Sequence, residues 1–347
     1  MEAVSVIGAG VAGLSAAIEM ARQGYRVRVY EQALLKYSAA TRSAGIVVTI
    51  MRGSLLRYAL DSVRLYESLD PGLVRRVEAL WISEDRDCME RVVGEHRSLG
   101  LRSRLLDGPP SWLSARPSES YAVIETFIVD AGRVLPLLLQ KAERLGVEVV
   151  EEAVSGVPGR YRTGGERLEG IVVVAAGPWT PSLVPSLRSE LVVYKCQAAS
   201  VEGARPPMPV EDDALDYYIV PVSPSRSNIG DGPNPLLDDP LDGYATDMEA
   251  VYDVLERYAE RNPSAWEARV IQAWAAPCAV GREGLPIVKA IRRDTIVFAG
   301  FNGAGLTLAP GMAKLLPGLL RGFTPPSLPA PRRPPKTRGV LEPYDVC

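Results

Sequence analysis

The chain has 347 residues with 39 basic and 42 acidic side chains, a net charge of −3, and it is 47% hydrophobic and 23% charged. That balance fits a globular protein of about two domains and excludes the strongly basic surface that nucleic acid or an acidic membrane would require. A single histidine and four cysteines without CxxC spacing leave no zinc set and no Cys–His nucleophile system.

No apolar run approaches the roughly 18 residues of a membrane span, and no signal segment is read before Val4, so a cytoplasmic protein is expected. The sequence leaves a disulfide among Cys88, Cys196, Cys278 and Cys347 open, but in that reduced compartment free thiols are expected.

In chain order, Val4, Val6 and Ile7 form the apolar run of a parallel strand covered on both faces. Gly8 suits a tight turn, Gly10 a close backbone approach to a pyrophosphate, and Gly13 the packing of a helix on the sheet. A helix follows from about Val11 to Gln23, with Gly24 as its stop, and its start favours a diphosphate. Residues 25–30 alternate as a second strand and deliver Glu31, placed to accept from a ribose diol. GxGxxG with strand, helix, strand and terminal acid all in register reads as an adenine-dinucleotide site.

Residues 37–47 are small and hydroxyl-rich, either an ordinary polar loop or a segment able to wrap a flat ligand. Helical spacing predicts a helix over 55–69, a strand over 77–82 and a helix over 87–100, whose charged surface would carry a solvated His96. A strand at 121–124 and a helix over 131–145 follow, the helix with Asp130 as N-cap and Gly146 as stop, then a strand at 147–150. After a polar loop over 159–170, Ile171–Val174 reads as a buried strand ending in Ala175-Ala176-Gly177, where no side chain obstructs a ligand. Short alternating strands at 191–194, 217–222 and 270–275, with a helix over 247–258, read as an antiparallel sheet. Strand 295–300 then leads into a helix reaching Leu320, with Pro310 in its first turn.

Three separated motifs carry a resemblance. Gly8-x-Gly10-x-x-Gly13 with Glu31, the segment Val173–Trp179, and Gly284-Leu285-Pro286 followed by Gly300-x-x-Gly303-x-Gly305-Leu306-Thr307 resemble the D-amino-acid oxidase family, which includes glycine oxidase, sarcosine oxidase and dye-linked D-amino-acid dehydrogenases. The resemblance spans Met1 to about Leu320. It implies non-covalent FAD and an α/β fold: a Rossmann-like FAD-binding domain with a parallel sheet (1–60, 125–182 and 276–325) and a substrate domain on an antiparallel sheet (61–124 and 183–275), with a proline-rich tail over 326–347.

The cofactor contacts it implies are Gly8, Gly10, Val11, Ala12, Gly13, Glu31 and Gln32 at the nucleotide end. Thr41, Arg42, Ser43, Ala44, Gly45, Val154, Ala176, Gly177 and Trp179 follow along the cofactor. Gly300, Asn302, Gly303, Ala304, Gly305, Leu306 and Thr307 stand at the flavin. The helix start after that last loop would favour negative charge on reduced flavin. The family's chemistry is oxidation of a C–N bond by hydride transfer to flavin N5, on a D-amino acid, glycine, sarcosine or related amine, with oxygen, a quinone or a partner protein as electron acceptor. Oligomerisation is left open.

One departure matters. Many members carry an arginine that clamps the substrate carboxylate at a position that here holds Cys278. Arg282, Arg42 or Arg52 would have to replace it, unless the substrate is no simple amino acid. A covalent flavin link through Cys278 is out of register by two residues. Tyr218, Arg282 and Asn302 are the expected substrate-positioning residues, with Tyr217 and Tyr218 read equally well as core. A 2-hydroxyacid or glycerol-phosphate dehydrogenase and a non-catalytic flavin subunit are the alternatives.

Overall fold

The computed structural model describes residues 2–232, 234–324 and 328, so the tail expected over 326–347 lies outside the described residues, Leu328 apart. The buried β-branched runs build the first sheet. Ala3–Ile7 pairs in parallel with Arg26–Glu31 on one side and Ile171–Val174 on the other. Glu148–Glu151 and Thr295–Ala299 extend the sheet outward in parallel, and Ile287–Arg292 adds an antiparallel edge. Val4, Val6, Val173, Val174, Ile296 and Val297 are all buried, as strands covered on both faces require. Helix Val11–Arg22 packs against Ala131–Arg144 and Gly305–Met312, and Gly53–Leu69 lies on Gly305–Met312.

The second sheet is nine-stranded among the described residues. Its order runs Arg269–Gly281, Leu191–Glu202, Arg226–Gly230, Tyr217–Pro221, Val210–Asp212, Val74–Ser83, Ser120–Val129 and Ile46–Val47, with Arg104–Leu106 also on Ser120–Val129. Every pairing is antiparallel except that of Val210–Asp212 with Val74–Ser83. The fold is therefore mixed α/β with one largely parallel and one largely antiparallel sheet, as expected. The boundary expected between residues 124 and 125 falls inside the single strand Ser120–Val129.

Three local expectations need correction. Cys88, expected as a free thiol, is disulfide-bonded. Pro310 lies inside helix Gly305–Met312, not in the first turn of a later one. Proline has no N–H for the carbonyl four residues back, that of Leu306. The buried Tyr66 hydroxyl supplies the donor instead, bonding Leu306 O at 2.7 Å. Next to it, a Cβ on Gly311 would stand 2.1 Å from the Tyr58 carbonyl oxygen, while Gly311 N–H donates to Ser62 Oγ at 2.9 Å. A helix the sequence places later is thus stitched backbone to backbone onto Gly53–Leu69. Tyr66→Phe should leave the Leu306 carbonyl buried without a donor and cost about 1–3 kcal/mol. The denaturant midpoint should fall at an unchanged slope; an unshifted midpoint would show that the carbonyl is satisfied otherwise.

His96, expected on a solvated face, is fully buried. Its Nε2 lies 2.7 Å from the Thr49 carbonyl, so that nitrogen carries the proton, and Nδ1 accepts from the Ser103 hydroxyl at 2.8 Å. The buried Glu125 beside this network is paired with Arg76 at 3.1 Å and Arg102 at 2.9 Å. Desolvation holds the His96 pKa below the ordinary histidine value, against the opposing pull of the Thr49 carbonyl and of Glu95 and Glu125. The unfolded chain therefore takes up a proton below about pH 6.5 that the folded chain refuses. This part of the stability is complete above that pH and is lost as the pH falls toward the depressed folded value. His96→Gln, which keeps a donor for Thr49, should flatten that acid slope when unfolding midpoints are compared at about pH 7.5 and 5.5. An equal fall in both proteins would dismiss the account.

Candidate active site

The site starts where the first strand ends. Gly8 turns at φ +104°, and a Cβ there would stand 2.5 Å from the Ala175 carbonyl oxygen. A Cβ on Gly13 would stand 1.8 Å from Gly8 O. Strand, turn and helix therefore touch through bare backbone. Gly10, the N-cap of helix Val11–Arg22, has no atom within 4 Å of its Cβ position. Its open side meets first-turn amides that lack intrahelical acceptors. Glu31 accepts from Ala9 N at 2.8 Å and Ala33 N at 3.2 Å, which holds its carboxylate at the end of the second strand.

From this turn a cavity of about 510 Å³ runs across the carboxyl edge of the first sheet to the second sheet. Of the expected contacts, Gly8, Gly10, Val11, Ala12, Glu31, Gln32, Arg42, Ser43, Ala44, Val154, Ala176, Gly177 and Trp179 line it. So do Gly300, Asn302, Gly303, Ala304, Gly305, Leu306, Thr307 and Tyr218. The Cβ positions of Gly177 and Gly303, like that of Gly10, are open space. Ile46, Val48, Ile50 and Met51 add an apolar wall. A narrow trough with a nucleotide cradle at one end, side-chain-free walls and a helix start at the other fits an extended dinucleotide such as FAD.

Four expected residues stand outside the lining. Gly13 is spent on the helix contact with Gly8. Thr41 is exposed, its hydroxyl donating to Ser38 O at 3.0 Å. Gly45 backs the loop, where a Cβ would meet Val129 O at 2.3 Å. Arg282 is exposed, its Nε donating to Ser189 O at 2.6 Å, and so is turned away from the cavity it was expected to serve. Arg52 lies outside the lining as well. Arg42 borders the cavity but is held in place: its guanidinium stacks 4.9 Å from the Tyr244 ring and donates to Lys36 O at 3.0 Å.

The loop 301–304 is fixed by the second sheet. Asn302 sits at φ +50°, its N–H donates to Ala279 O at 2.9 Å, and its Oδ1 accepts from the buried Tyr194 hydroxyl at 2.5 Å. Thr307 Oγ1 accepts from Val48 N at 3.1 Å, which ties the helix start to the opposite wall. Trp274 Nε1 donates to Arg42 O at 2.7 Å, joining the second sheet to the wrapping loop.

Residues that the sequence reading passed over crowd the far end. Tyr194, Cys196, Glu211, Asp213, Asp216 and Asp231 all line the cavity. Tyr217 packs edge-on against Tyr258, ring centroids 5.7 Å apart, and its neighbour Tyr218 stands on the opposite face of the strand; both border the cavity. Burial, then the charges of Asp231 and Asp213, push the Glu211 carboxyl well above the usual range. Burial and Asp216 push Asp231 up to about 7, against a hydrogen bond from Asn234. The buried Arg261 holds this strand in place, its Nε bonding Asp212 at 2.7 Å and its Nη2 bonding Glu119 at 2.5 Å.

The profile of the family described as "FAD dependent oxidoreductase" (DAO) matches residues 3–317. The chain belongs to this family. It is an FAD-dependent oxidoreductase. It is 23% identical over 342 residues to glycine oxidase of Geobacillus kaustophilus (strain HTA426), across 88% of this chain and 89% of that one. The crystal structure of glycine oxidase from that organism superposes with a TM-score of 0.75 at 21% identity, covering 94% of this chain and 96% of the other. L-proline dehydrogenase from P. horikoshii superposes at 0.79 with 19% identity, covering 93% and 94%. Iminodiacetate oxidase from Chelativorans sp. BNC1 superposes at 0.74 with 24% identity, covering 94% and 97%. These superpositions establish the shared fold. Among the described residues no helix is long and apolar enough to cross a membrane, and no group of three or more potential ligands could hold a metal ion.

In this FAD-dependent oxidoreductase, Gly10→Val would place a branched side chain in the one open side of the cradle, at a backbone φ of −70° that valine tolerates. The variant should fold with an unchanged circular-dichroism spectrum and bind FAD at least about tenfold more weakly, a difference of about 1.4 kcal/mol. Wild-type flavin content in the purified variant would remove Gly10 from the cofactor site.

Proposed function

We propose that the protein oxidises the C–N bond of a small amine or amino acid. The observation that carries the reading is one continuous cavity, which joins the Gly8–Ala12 cradle to the Gly303–Thr307 helix start and ends on polar side chains of the second sheet. Bound FAD supplies a two-electron acceptor for the hydride of the substrate's α-carbon. Toward it, the turn at Gly8–Ala12 would hold the diphosphate and Glu31 the ribose. Arg42–Ala44, Val154 and Ala176–Trp179 would wrap the middle, and Gly303–Thr307 would place amide dipoles where negative charge develops on reduction. Tyr218 and Asn302 face the same space and would position the substrate.

The lone histidine, His96, is buried outside the cavity lining, so a base for hydroxyl oxidation there would have to be a carboxyl group such as Glu211 or Asp231. An amine needs only to be neutral and oriented, which this lining can do. Cys278 is a buried free thiol packed in one cluster with Cys196, which supports flavin held without a covalent bond. The same reading keeps the electron acceptor among oxygen, a quinone and a partner protein.

The test is anaerobic mixing of the FAD-loaded protein with D- and L-amino acids, N-methyl amino acids, simple amines and hydroxy acids. At least one amine should bleach the visible flavin band. Bleaching by hydroxy acids alone would replace this reading with the hydroxyacid dehydrogenase.

A further inference from the structure

One buried amide on the second sheet is satisfied at one end and bare at the other. Gln197 is 7% exposed, and its Nε2 is buried without a hydrogen-bond partner among the described residues. Its Oε1 accepts from Asp247 N at 3.0 Å. A backbone N–H needs an acceptor, so that contact fixes which end of the amide is which, and the bare end carries two donors. A buried donor without an acceptor keeps its whole desolvation cost, and in native proteins such groups are met by an ordered water or a ligand.

The strand sets the direction of the side chain. Tyr194 and Cys196 line the main cavity, and side chains along Leu191–Glu202 alternate between faces. Gln197 therefore rises on the opposite face with Ala199, which packs in one core cluster with Val251 and Val254 of helix Met248–Arg261. Asp247, which holds the Gln197 Oε1, is the N-cap of that helix, and its carboxylate accepts from Glu249 N at 3.0 Å.

Between strand and helix lies a second void, bordered by Gln197, Ala199, Ile229, Asp231, Ala250 and Val254. It leaves about 10 Å³ for the centre of a water molecule, which is room for one. Cavities that stay dry are lined by apolar atoms throughout. Here the alanines, Ile229 and Val254 are apolar, but the Gln197 amide and the strand backbone at Ala198, Gly230 and Asp231 are not.

We propose that one ordered water occupies this void, accepting from Gln197 Nε2 and donating to backbone carbonyls of the strands around it. Gln197, Ala198 and Asp231 border both the void and the main cavity, so the water stands directly behind the far wall of that cavity. It completes a polar link from strand Leu191–Glu202 to the start of helix Met248–Arg261, at the turn where Asp231 sits with φ +83°. This inference is independent of what the cavity oxidises.

The experiment joins a crystal structure of the FAD-loaded protein, taken to a resolution that shows ordered solvent, to a double-mutant cycle. One density peak should stand inside the void within about 3.2 Å of Gln197 Nε2. Ala250→Val adds two methyl groups on the helix side of the void. It should expel the water, strand the amide and lower the denaturant midpoint. In a Gln197→Leu background no donor remains to be stranded, and the same substitution should lower the midpoint by less than half as much. An empty void beside a well-ordered Gln197 would overturn the inference. Equal falls in the two backgrounds would overturn it too, because Ala250→Val would then act through packing alone. Where Gln197→Leu fails to fold, the density decides by itself.

Discussion

The contact on which the rest depends joins two glycines: a Cβ on Gly13 would fall 1.8 Å from Gly8 O, and one on Gly8 would fall 2.5 Å from Ala175 O. Because neither side chain exists, the first helix lies directly on the turn and the turn lies directly on the next strand. The ends of Ala3–Ile7 and Ile171–Val174 then stand level, and helix amides open onto a floor without side chains. A methyl group at either glycine would lift the helix and separate the floor from the cradle. The cavity's length, from Glu31 to the second sheet, follows from that flush packing.

The nucleotide half was legible because its signals are local. Strand, glycine turn, helix, strand and acid follow one another within the first 31 residues, and each spacing has one physical meaning. The same holds for Val173–Gly177 and the glycines around 303. The tertiary partners were not legible. His96 sits in a helix of charged residues, and only the arrival of Thr49 and Ser103 from other elements makes its buried site polar. Pro310 reads as a helix start because proline inside a helix strands a carbonyl, and the donor that rescues it, Tyr66, is over two hundred residues away. The acids at the far end are scattered over a strand, a turn and a strand end between 211 and 231. The one local hint was the run Glu211-Asp212-Asp213 at the end of a short strand, where alternation would put neighbouring acids on opposite faces.

Charge is divided along the cavity with a purpose that the two sheets explain. The first sheet offers backbone: glycine turns and helix starts whose partial charges suit phosphates and a reduced flavin, and which require no ionised side chain. The second sheet offers side chains, and there Arg261, bonded to Asp212 and Glu119, fixes the strand next to the carboxylates that face inward. Trp274 and Tyr194 cross between the two, holding the wrapping loop and Asn302 against the second sheet. The cofactor and substrate positions proposed above would thereby be set by different chemistry yet locked to one another.

Gly311, seated on the Tyr58 backbone, carries a consequence for how such a protein can diversify. The helix whose start borders the cavity is pinned at its other end by a contact that admits no side chain, so it cannot tilt to enlarge the cavity. Strands Val210–Asp212 and Tyr217–Pro221 face the cavity through side chains instead, and side chains are exchanged one at a time without moving a backbone. Lineages built on this frame are free to acquire new substrates on one wall while the opposite wall stays frozen, which is how one cofactor geometry can outlast many changes of diet.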